Sequence, residues 1–168
     1  AGPVSVEIPI DVQEAEISPP ADLGPSPIEA PIPSPVAIDT LAEALVSARR
    51  PMLWLGGGAR HAGAEVRRLL DLGFGVVTSV QGRGIIAEGH PMSLGSFNLQ
   101  PAIEEFYATC DAMVVVGSRL RGNETLKYTL RLPRPLYGID ADPMAENRSY
   151  PHDRFVAGDA ALALNELA

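Results

Sequence analysis

Short apolar runs without alternation of polar and apolar residues constrain the fold most. The clearest run is Ala112 to Val116, which reads Ala-Met-Val-Val-Val. A strand with one face in water would alternate, so an unbroken run indicates a strand buried on both faces. Such strands occur in parallel sheets that helices cover on each side. The runs predicted as strands are Met52 to Leu55, Gly75 to Ser79, Ala112 to Val116, Leu136 to Ile139 and Phe155 to Val156.

Segments with helical periodicity separate these runs. Asp39 or Thr40 is placed to cap the first helix of the domain, and Asp159 is placed to cap the last. The alternation of helix and strand predicts an α/β, doubly wound, Rossmann-like fold, with a mainly parallel sheet of about six strands and helices on both faces. The predicted helices cover Ile38 to Ala48, Ala62 to Leu70, Leu99 to Cys110, Glu124 to Leu130 and the residues from Ala160 onward.

The first 36 residues differ from the rest of the chain. Residues 1–12 alternate like a strand but have no neighbouring strand, which indicates the terminal strand of a preceding domain. Residues 13–36 are rich in Pro, Ser, Ala and acids and predict an acidic linker that is mobile or wraps the surface. Residues 37–168 are long enough for one α/β domain.

Charge and cysteine content exclude several classes of function. The formal net charge is -8, and the first 48 residues hold eight acids and no Lys or Arg, so the remainder is neutral. Neither a nucleic acid nor a membrane surface is therefore expected as a partner. The apolar runs are too short to cross a bilayer. The single cysteine, Cys110, cannot form an internal disulfide, which favours a reducing cytoplasmic setting. Its side chain is interpreted as a small buried apolar group.

Three loops at the carboxyl ends of predicted strands are candidate ligand sites, because doubly wound sheets bind ligands there. Residues Gly56 to Arg60 would let a phosphate approach the backbone beside the Arg60 guanidinium, or would form only a tight turn. Asp140 and Asp142 could hold ribose hydroxyls, or Asp142 could simply cap the following turn. Residues Gly117 to Asn123 carry two arginines suited to phosphate, or form an ordinary solvated loop.

Other site motifs fail in this sequence. The dinucleotide fingerprint G-x-G-x-x-G needs a third glycine where His61 stands, and the second strand ends at Ser79 without a ribose-binding acid. An NAD-dependent oxidoreductase is therefore disfavoured. The three histidines are far apart and have no metal-ligand spacing, which argues against zinc. No G-x-S-x-G elbow occurs either, so no catalytic constellation is evident.

Taken in order, these landmarks resemble the central domain of the thiamine-diphosphate-dependent enzyme superfamily, of the acetolactate synthase, benzoylformate decarboxylase and oxalyl-CoA decarboxylase type. In that family residues 1–12 look like the closing strand of a pyrimidine-binding domain. The landmarks are Gly56 to Ala59, Gln81 to Gly84, His90-Pro91, Gly95, Asp111, Gly117 to Arg119, Ile139 to Pro143 and Gly158-Asp159.

The resemblance implies a parent enzyme that is a decarboxylase or carboligase acting on a 2-keto acid. Flanking catalytic domains would hold thiamine diphosphate and Mg²⁺, and the parent would be a homo-oligomer. Gly158-Asp159 lacks the third glycine of the family's Gly-Asp-Gly metal and diphosphate motif and is better interpreted as a helix cap. This chain alone is therefore expected to hold no catalytic residue and to act structurally.

The resemblance also implies an adenine-nucleotide site, because this domain carries flavin adenine dinucleotide (FAD) in acetolactate synthases and ADP in oxalyl-CoA decarboxylase. Two departures count against FAD: the family's Asp-Asp-Arg is missing after Arg119, and Gly95 to Asn98 replaces Gly-Met-His-Gly. A freestanding nucleotide- or flavin-binding module is the alternative. The cofactor-binding positions implied are Gly57, Gly58, Arg60, Ser79, Gln81, Gly82, Arg119, Asp140 and Asp159.

Overall fold

A computed structural model of the protein describes residues 4–19, 24 and 29–168, and the predictions for residues 1–3, 20–23 and 25–28 lie outside the described residues. Within the described residues, single-turn 3-10 helices occur at Gly57–Ala59, Val80–Gly82 and Pro143–Ala145. The α-helices are α1 (Ile10–Gln13), α2 (Pro35–Leu45), α3 (Gly63–Asp71), α4 (Pro101–Tyr107) and α5 (Ala160–Leu167). The strands are β1 (Pro51–Leu55), β2 (Gly75–Thr78), β3 (Ala112–Val116), β4 (Leu136–Asp140) and β5 (Arg154–Ala157).

The five strands form one parallel sheet in the order β2-β1-β3-β4-β5. The chain places β2 on one side of β1 and then returns to build β3, β4 and β5 on the other side. The direction of winding therefore reverses between β1 and β3. This topology confirms the predicted doubly wound α/β fold.

In the part of the chain that the structure describes, the sheet has five strands where about six were predicted, and the place of a sixth is partly filled. Residues Met92 to Gly95 run beside β2, where Val76 N donates to Met92 O and Leu94 N donates to Val76 O, both over 2.8 Å. Only Ser93 forms a bridge, to Val76, so the segment remains an isolated bridge. It nevertheless covers one edge of the sheet, which would otherwise expose unpaired backbone groups.

Both faces of the sheet are buried, which explains the unbroken apolar runs. On β1, Leu53 and Leu55 face a core shared with α2, α3 and α5. Met52 and Trp54 face a second core, which α4 and the loop between β3 and β4 cover with side chains such as Tyr107, Leu120 and Leu130. The sheet thus lies between two apolar layers. Polar groups that could bind a ligand therefore lie in the loops at the ends of the strands.

The start of α2 differs from the prediction. The helix begins at Pro35, with Ser34 at the N-cap position, so neither Asp39 nor Thr40 caps it. Proline suits the first helical position because its φ is already helical and its missing N–H would have no partner there. Thr40 lies one turn inside the helix and donates its hydroxyl to Val36 O.

The helix predicted from Glu124 to Leu130 is wrong. Leu126, Lys127 and Tyr128 have positive φ angles of 50°, 55° and 69°, which a right-handed helix cannot contain. Turns replace the helix: the buried Thr125 donates its hydroxyl to Arg121 O, and Lys127 N donates to Gly122 O. Packing of this segment over the second core therefore outweighs its local preference for a helix.

The segment before the domain forms no strand here. Residues 4–9 have no regular structure and Ile10–Gln13 form one helical turn. A strand needs a neighbouring strand for its backbone hydrogen bonds, and no strand of the described part pairs with this segment. Its assignment to a preceding domain stays a prediction. No helix of the described residues is both long and apolar enough to span a membrane.

The end of the predicted linker is packed against the domain. Pro33 is buried, and a Cβ added at Gly158 would lie 2.7 Å from its Cβ. Pro31 O accepts a hydrogen bond from Asp159 N over 2.7 Å. This part of the linker therefore wraps the surface, and its last two residues belong to α2.

Candidate functional site

A polar cavity of about 560 Å³ opens at the carboxyl ends of β1, β2, β3 and β4. It lies where the winding reverses, which is the usual ligand position in sheets of this type. All three loops selected from the sequence contribute to it. The lining residues are Gly57, Gly58, Arg60, Ser79, Val80, Gln81, Gly117, Ser118, Arg119, Arg121, Asn123, Glu124 and Asp140.

Glycines after β1 and β3 bring two backbones into contact at the floor of this cavity. Gly58 N donates to Gly117 O over 2.9 Å. A Cβ on Gly58 would lie 2.8 Å from Gly117 Cα, and a Cβ on Gly117 would lie 2.6 Å from Ala59 N. Gly117 also has φ +58°. The close approach therefore needs glycine, and it leaves bare backbone that a phosphate could reach.

Three arginines line the cavity. Arg60 Nε donates to Gly57 O over 3.0 Å, which holds the guanidinium across the glycine turn. Arg119 Nη2 lies 3.7 Å from Asp142 Oδ2, and Arg121 follows in the same loop. Against these three cations stand two lining carboxylates, Glu124 and Asp140, and the Asp142 carboxylate that pairs with Arg119 from outside the lining. The formal charges around the cavity therefore balance, and the arginines offer an anionic ligand hydrogen-bond donors rather than a net positive charge.

The two aspartates after β4 have different roles. Asp140 lines the cavity, and its Oδ1 accepts a hydrogen bond from Asp142 N over 2.9 Å. Asp142 Oδ1 accepts from Met144 N over 3.0 Å at the start of the 3-10 turn that begins at Pro143. Asp142 is therefore the turn cap that the sequence offered as an alternative. Asp140 is the carboxylate at the strand end that could accept from ribose hydroxyls.

Seven of the nine implied cofactor-binding positions line this one cavity, namely Gly57, Gly58, Arg60, Ser79, Gln81, Arg119 and Asp140. Gly82 lies behind the lining, where a Cβ would clash with Leu55 O and where its N–H donates to Ser79 Oγ. Asp159 is also outside the lining and caps α5, accepting from Ala161 N and Leu162 N. Whether the seven bind a cofactor stays a prediction.

Six lining residues were not among the nine implied positions: Val80, Gly117, Ser118, Arg121, Asn123 and Glu124. Four of the six, Gly117, Ser118, Arg121 and Asn123, lie in the loop recognised for its arginines, so that signal was available. Glu124 was assigned to a helix, and only the turns of the structure bring it to the cavity. Nothing in the local sequence marks Val80.

Other groups with reactive side chains offer little chemistry. Among the described residues, no three His, Cys, Asp or Glu side chains lie close enough together to hold a metal ion. Cys110 is half-buried and donates to Phe106 O over 3.5 Å. Burial raises the pKa of the Cys110 thiol, which keeps it protonated and disfavours a nucleophile.

Known proteins share both the sequence and the fold. A probable 2-ketoarginine decarboxylase of Pseudomonas aeruginosa is 32% identical over 98% of this chain. Glyoxylate carboligase of Escherichia coli O157:H7 is 32% identical over 99% of it. A crystal structure of benzoylformate decarboxylase from Polynucleobacter necessarius matches 90% of the chain with a TM-score of 0.66 and 18% identity, and so shows the fold.

These matches cover only part of each relative. The chain spans 30% of the 2-ketoarginine decarboxylase, 29% of the glyoxylate carboligase and 30% of the benzoylformate decarboxylase chain. The family model described as the thiamine pyrophosphate enzyme, central domain, matches residues 38–167. The chain therefore belongs to the thiamine pyrophosphate enzyme central-domain family.

Proposed function

We propose that this chain is the central domain of a longer thiamine-diphosphate-dependent decarboxylase or carboligase that acts on a 2-keto acid. Its family and the names of its relatives support this, as does the short share of each relative that it spans. Among the described residues, no three His, Cys, Asp or Glu side chains form a group that could hold a metal ion. Flanking domains would bind thiamine diphosphate and Mg²⁺. This domain would keep those flanking domains in position.

The polar cavity supports a second part of the proposal, an adenine nucleotide bound at the carboxyl edge of the sheet. The glycine backbones and the guanidinium groups of Arg60 and Arg119 suit a diphosphate. Asp140 stands at a strand end, where a carboxylate can accept from ribose hydroxyls. ADP is favoured over FAD, because the sequence departs from the flavin-binding pattern at Gly95 to Asn98 and after Arg119.

Nucleotide titration tests this part of the proposal. ADP and FAD are added to the chain, and the heat of binding and the thermal midpoint are recorded. We expect saturable binding of ADP that weakens about 10-fold or more in Arg60→Gln and in Asp140→Asn, because each loses a charge-assisted hydrogen bond. Asn at 140 keeps an oxygen for Asp142 N.

Arg67→Gln is the matched control, because Arg67 is exposed on α3 and does not line the cavity. It should bind ADP like the unmodified chain. Absence of any response to both nucleotides would reject the nucleotide site and leave a purely structural domain. The alternative of a freestanding nucleotide-binding module has no support from the relatives. The chain covers only 30% of the 2-ketoarginine decarboxylase and 29% of the glyoxylate carboligase, so about seven tenths of each relative lies outside the match.

A further inference from the structure

The loop after β3 presents two arginines to the cavity from one tight turn. Arg119 and Arg121 line the cavity on either side of Leu120, which is buried in the second core. Leu120 has a φ of +45°, in the left-handed region that a branched side chain seldom adopts. Such a conformation persists only where the surrounding structure holds it. The direction of the arginines therefore depends on what holds this short backbone segment.

Ser149 supplies a hydrogen bond to this turn from a distant part of the chain. Its hydroxyl donates to Arg119 O over 2.7 Å, and the two residues are 30 positions apart in the sequence. At the other end of the same arginine, Arg119 Nη2 lies 3.7 Å from Asp142 Oδ2. Both partners belong to the connection between β4 and β5, residues 141–153. This connection therefore contacts Arg119 at its backbone and at its guanidinium.

The connection between β4 and β5 is itself held in place around Ser149. Asn147 N donates to His152 Nδ1 over 3.2 Å, and His152 N donates to Asn147 Oδ1 over 2.7 Å, so these two residues close the loop reciprocally. Burial lowers the pKa of His152, which keeps Nδ1 unprotonated and able to accept. Next to Ser149, Tyr150 packs against the second core and donates its hydroxyl to Leu130 O over 3.1 Å. The serine hydroxyl is therefore presented by a constrained loop.

We propose that Ser149 is a positioning residue for the anionic part of the ligand, because its hydroxyl fixes the backbone from which Arg119 reaches the cavity. This inference rests on the proposed function, since it concerns the nucleotide bound in that cavity. Ser149 does not line the cavity, so it acts through the arginine and not on the ligand. Without this hydrogen bond, ligand binding would have to order the arginine as well, which lowers the affinity.

Titration of the full-length protein with ADP tests this role. We expect Ser149→Ala to weaken ADP binding about 3- to 10-fold, the usual effect of one lost hydrogen bond. Ser149→Thr keeps a hydroxyl and should restore most of the affinity. Ser47→Ala is the matched control, because Ser47 is exposed in the turn after α2 and does not line the cavity. The control should bind ADP like the unmodified protein.

Double-mutant cycles separate positioning of Arg119 from a general loosening of the fold. In an Arg119→Gln background, Ser149→Ala should weaken ADP binding by less than about 2-fold, because the cation that it positions is already absent. In an Arg60→Gln background the loss should stay at about 3- to 10-fold, as in the unmodified protein. Arg60 lies in the loop after β1, where its guanidinium is held by Gly57 O and not by Ser149.

Equal losses in the Arg119→Gln and Arg60→Gln backgrounds would overturn the positioning role, as would an unchanged affinity in Ser149→Ala. Either result leaves the nucleotide site in place, because the unmodified protein still binds ADP. No binding of ADP by the unmodified protein would instead reject the nucleotide site of the proposed function, and the role of Ser149 with it. The affinity of the unmodified protein therefore distinguishes failure of the proposed function from failure of this inference.

Discussion

At the scale of single residues, the contact between the loops after β1 and β3 depends on Gly117. Its φ of +58° disfavours any other residue, and an added Cβ would lie 2.6 Å from Ala59 N and from Gly58 Cα. Both neighbours are backbone atoms and cannot turn away. Gly84 has a similar φ of +85° but no atom within 4 Å of an added Cβ, so it isolates the cost of the backbone angle.

We therefore expect Gly117→Ala to lower the free energy of unfolding by about 3 kcal/mol or more, through both strain and overpacking. Gly84→Ala should lower it by only about 1–2 kcal/mol. Urea unfolding followed by the fluorescence of Trp54, the single tryptophan, measures both. Equal losses in the two variants would show that the close approach contributes nothing.

At the scale of elements, the helix starts show how a cap is decided. Asp159 accepts from Ala161 N and Leu162 N at the start of α5, as predicted. Asp39 has the same side chain, yet it lies inside α2. The backbone N–H groups that follow it already donate to carbonyl groups one turn earlier in that helix. The position of a residue within the element therefore decides whether a carboxylate can cap.

Asp159→Ala should lower the free energy of unfolding by about 1 kcal/mol, the usual cost of a lost N-cap. Asp39→Ala should change it by less than about 0.5 kcal/mol, as for an ordinary surface substitution. Chemical denaturation of the two variants makes the comparison. Because Asp159 lies outside the cavity lining, the variant should bind ADP normally, and a loss of affinity would return Asp159 to the nucleotide site.

At the scale of the whole molecule, the residues directly before α2, from Pro31 to Pro33, are part of the folded domain. Pro33 is buried against Gly158, and the carbonyl of Pro31 pairs with Asp159 N beside the cap of α5. These contacts join the segment that leads into α2 to the start of the last helix, α5.

Pro33→Ser should lower the free energy of unfolding by about 1–2 kcal/mol, because it removes buried apolar surface and leaves a hydroxyl in its place. Pro19→Ser makes the same change at an exposed position and should be close to neutral. Thermal unfolding of both variants gives the difference. A Pro33→Ser variant as stable as Pro19→Ser would show that the packed linker contributes nothing to stability.

Features with a local cause could be predicted from the sequence. The unbroken runs indicated the positions of β1 to β4, since burial on both faces leaves no room for polar side chains. The short run Phe155 to Val156 indicated β5, where Arg154 and Ala157 are exposed. The cap at Asp159 followed from its place before an apolar helix. Gly57, Gly58, Arg60, Arg119 and Asp140 could be placed at the cavity because strand ends and glycine turns mark one end of a parallel sheet. Ser79 and Gln81 were named only from the family resemblance.

Tertiary contacts determined the features of the fold and of the cavity that the sequence did not predict. Leu126 to Tyr128 form a turn with positive φ rather than a helix, and this turn goes with a buried Thr125 and with Leu130 in the core built from distant strands. Gly82 lies behind the cavity because its backbone meets Leu55. The number of strands depended on how Met92 to Gly95 pair with β2, and residues 4–9 found no strand to pair with. Each outcome depends on residues far away in the chain, whose positions a local pattern does not contain.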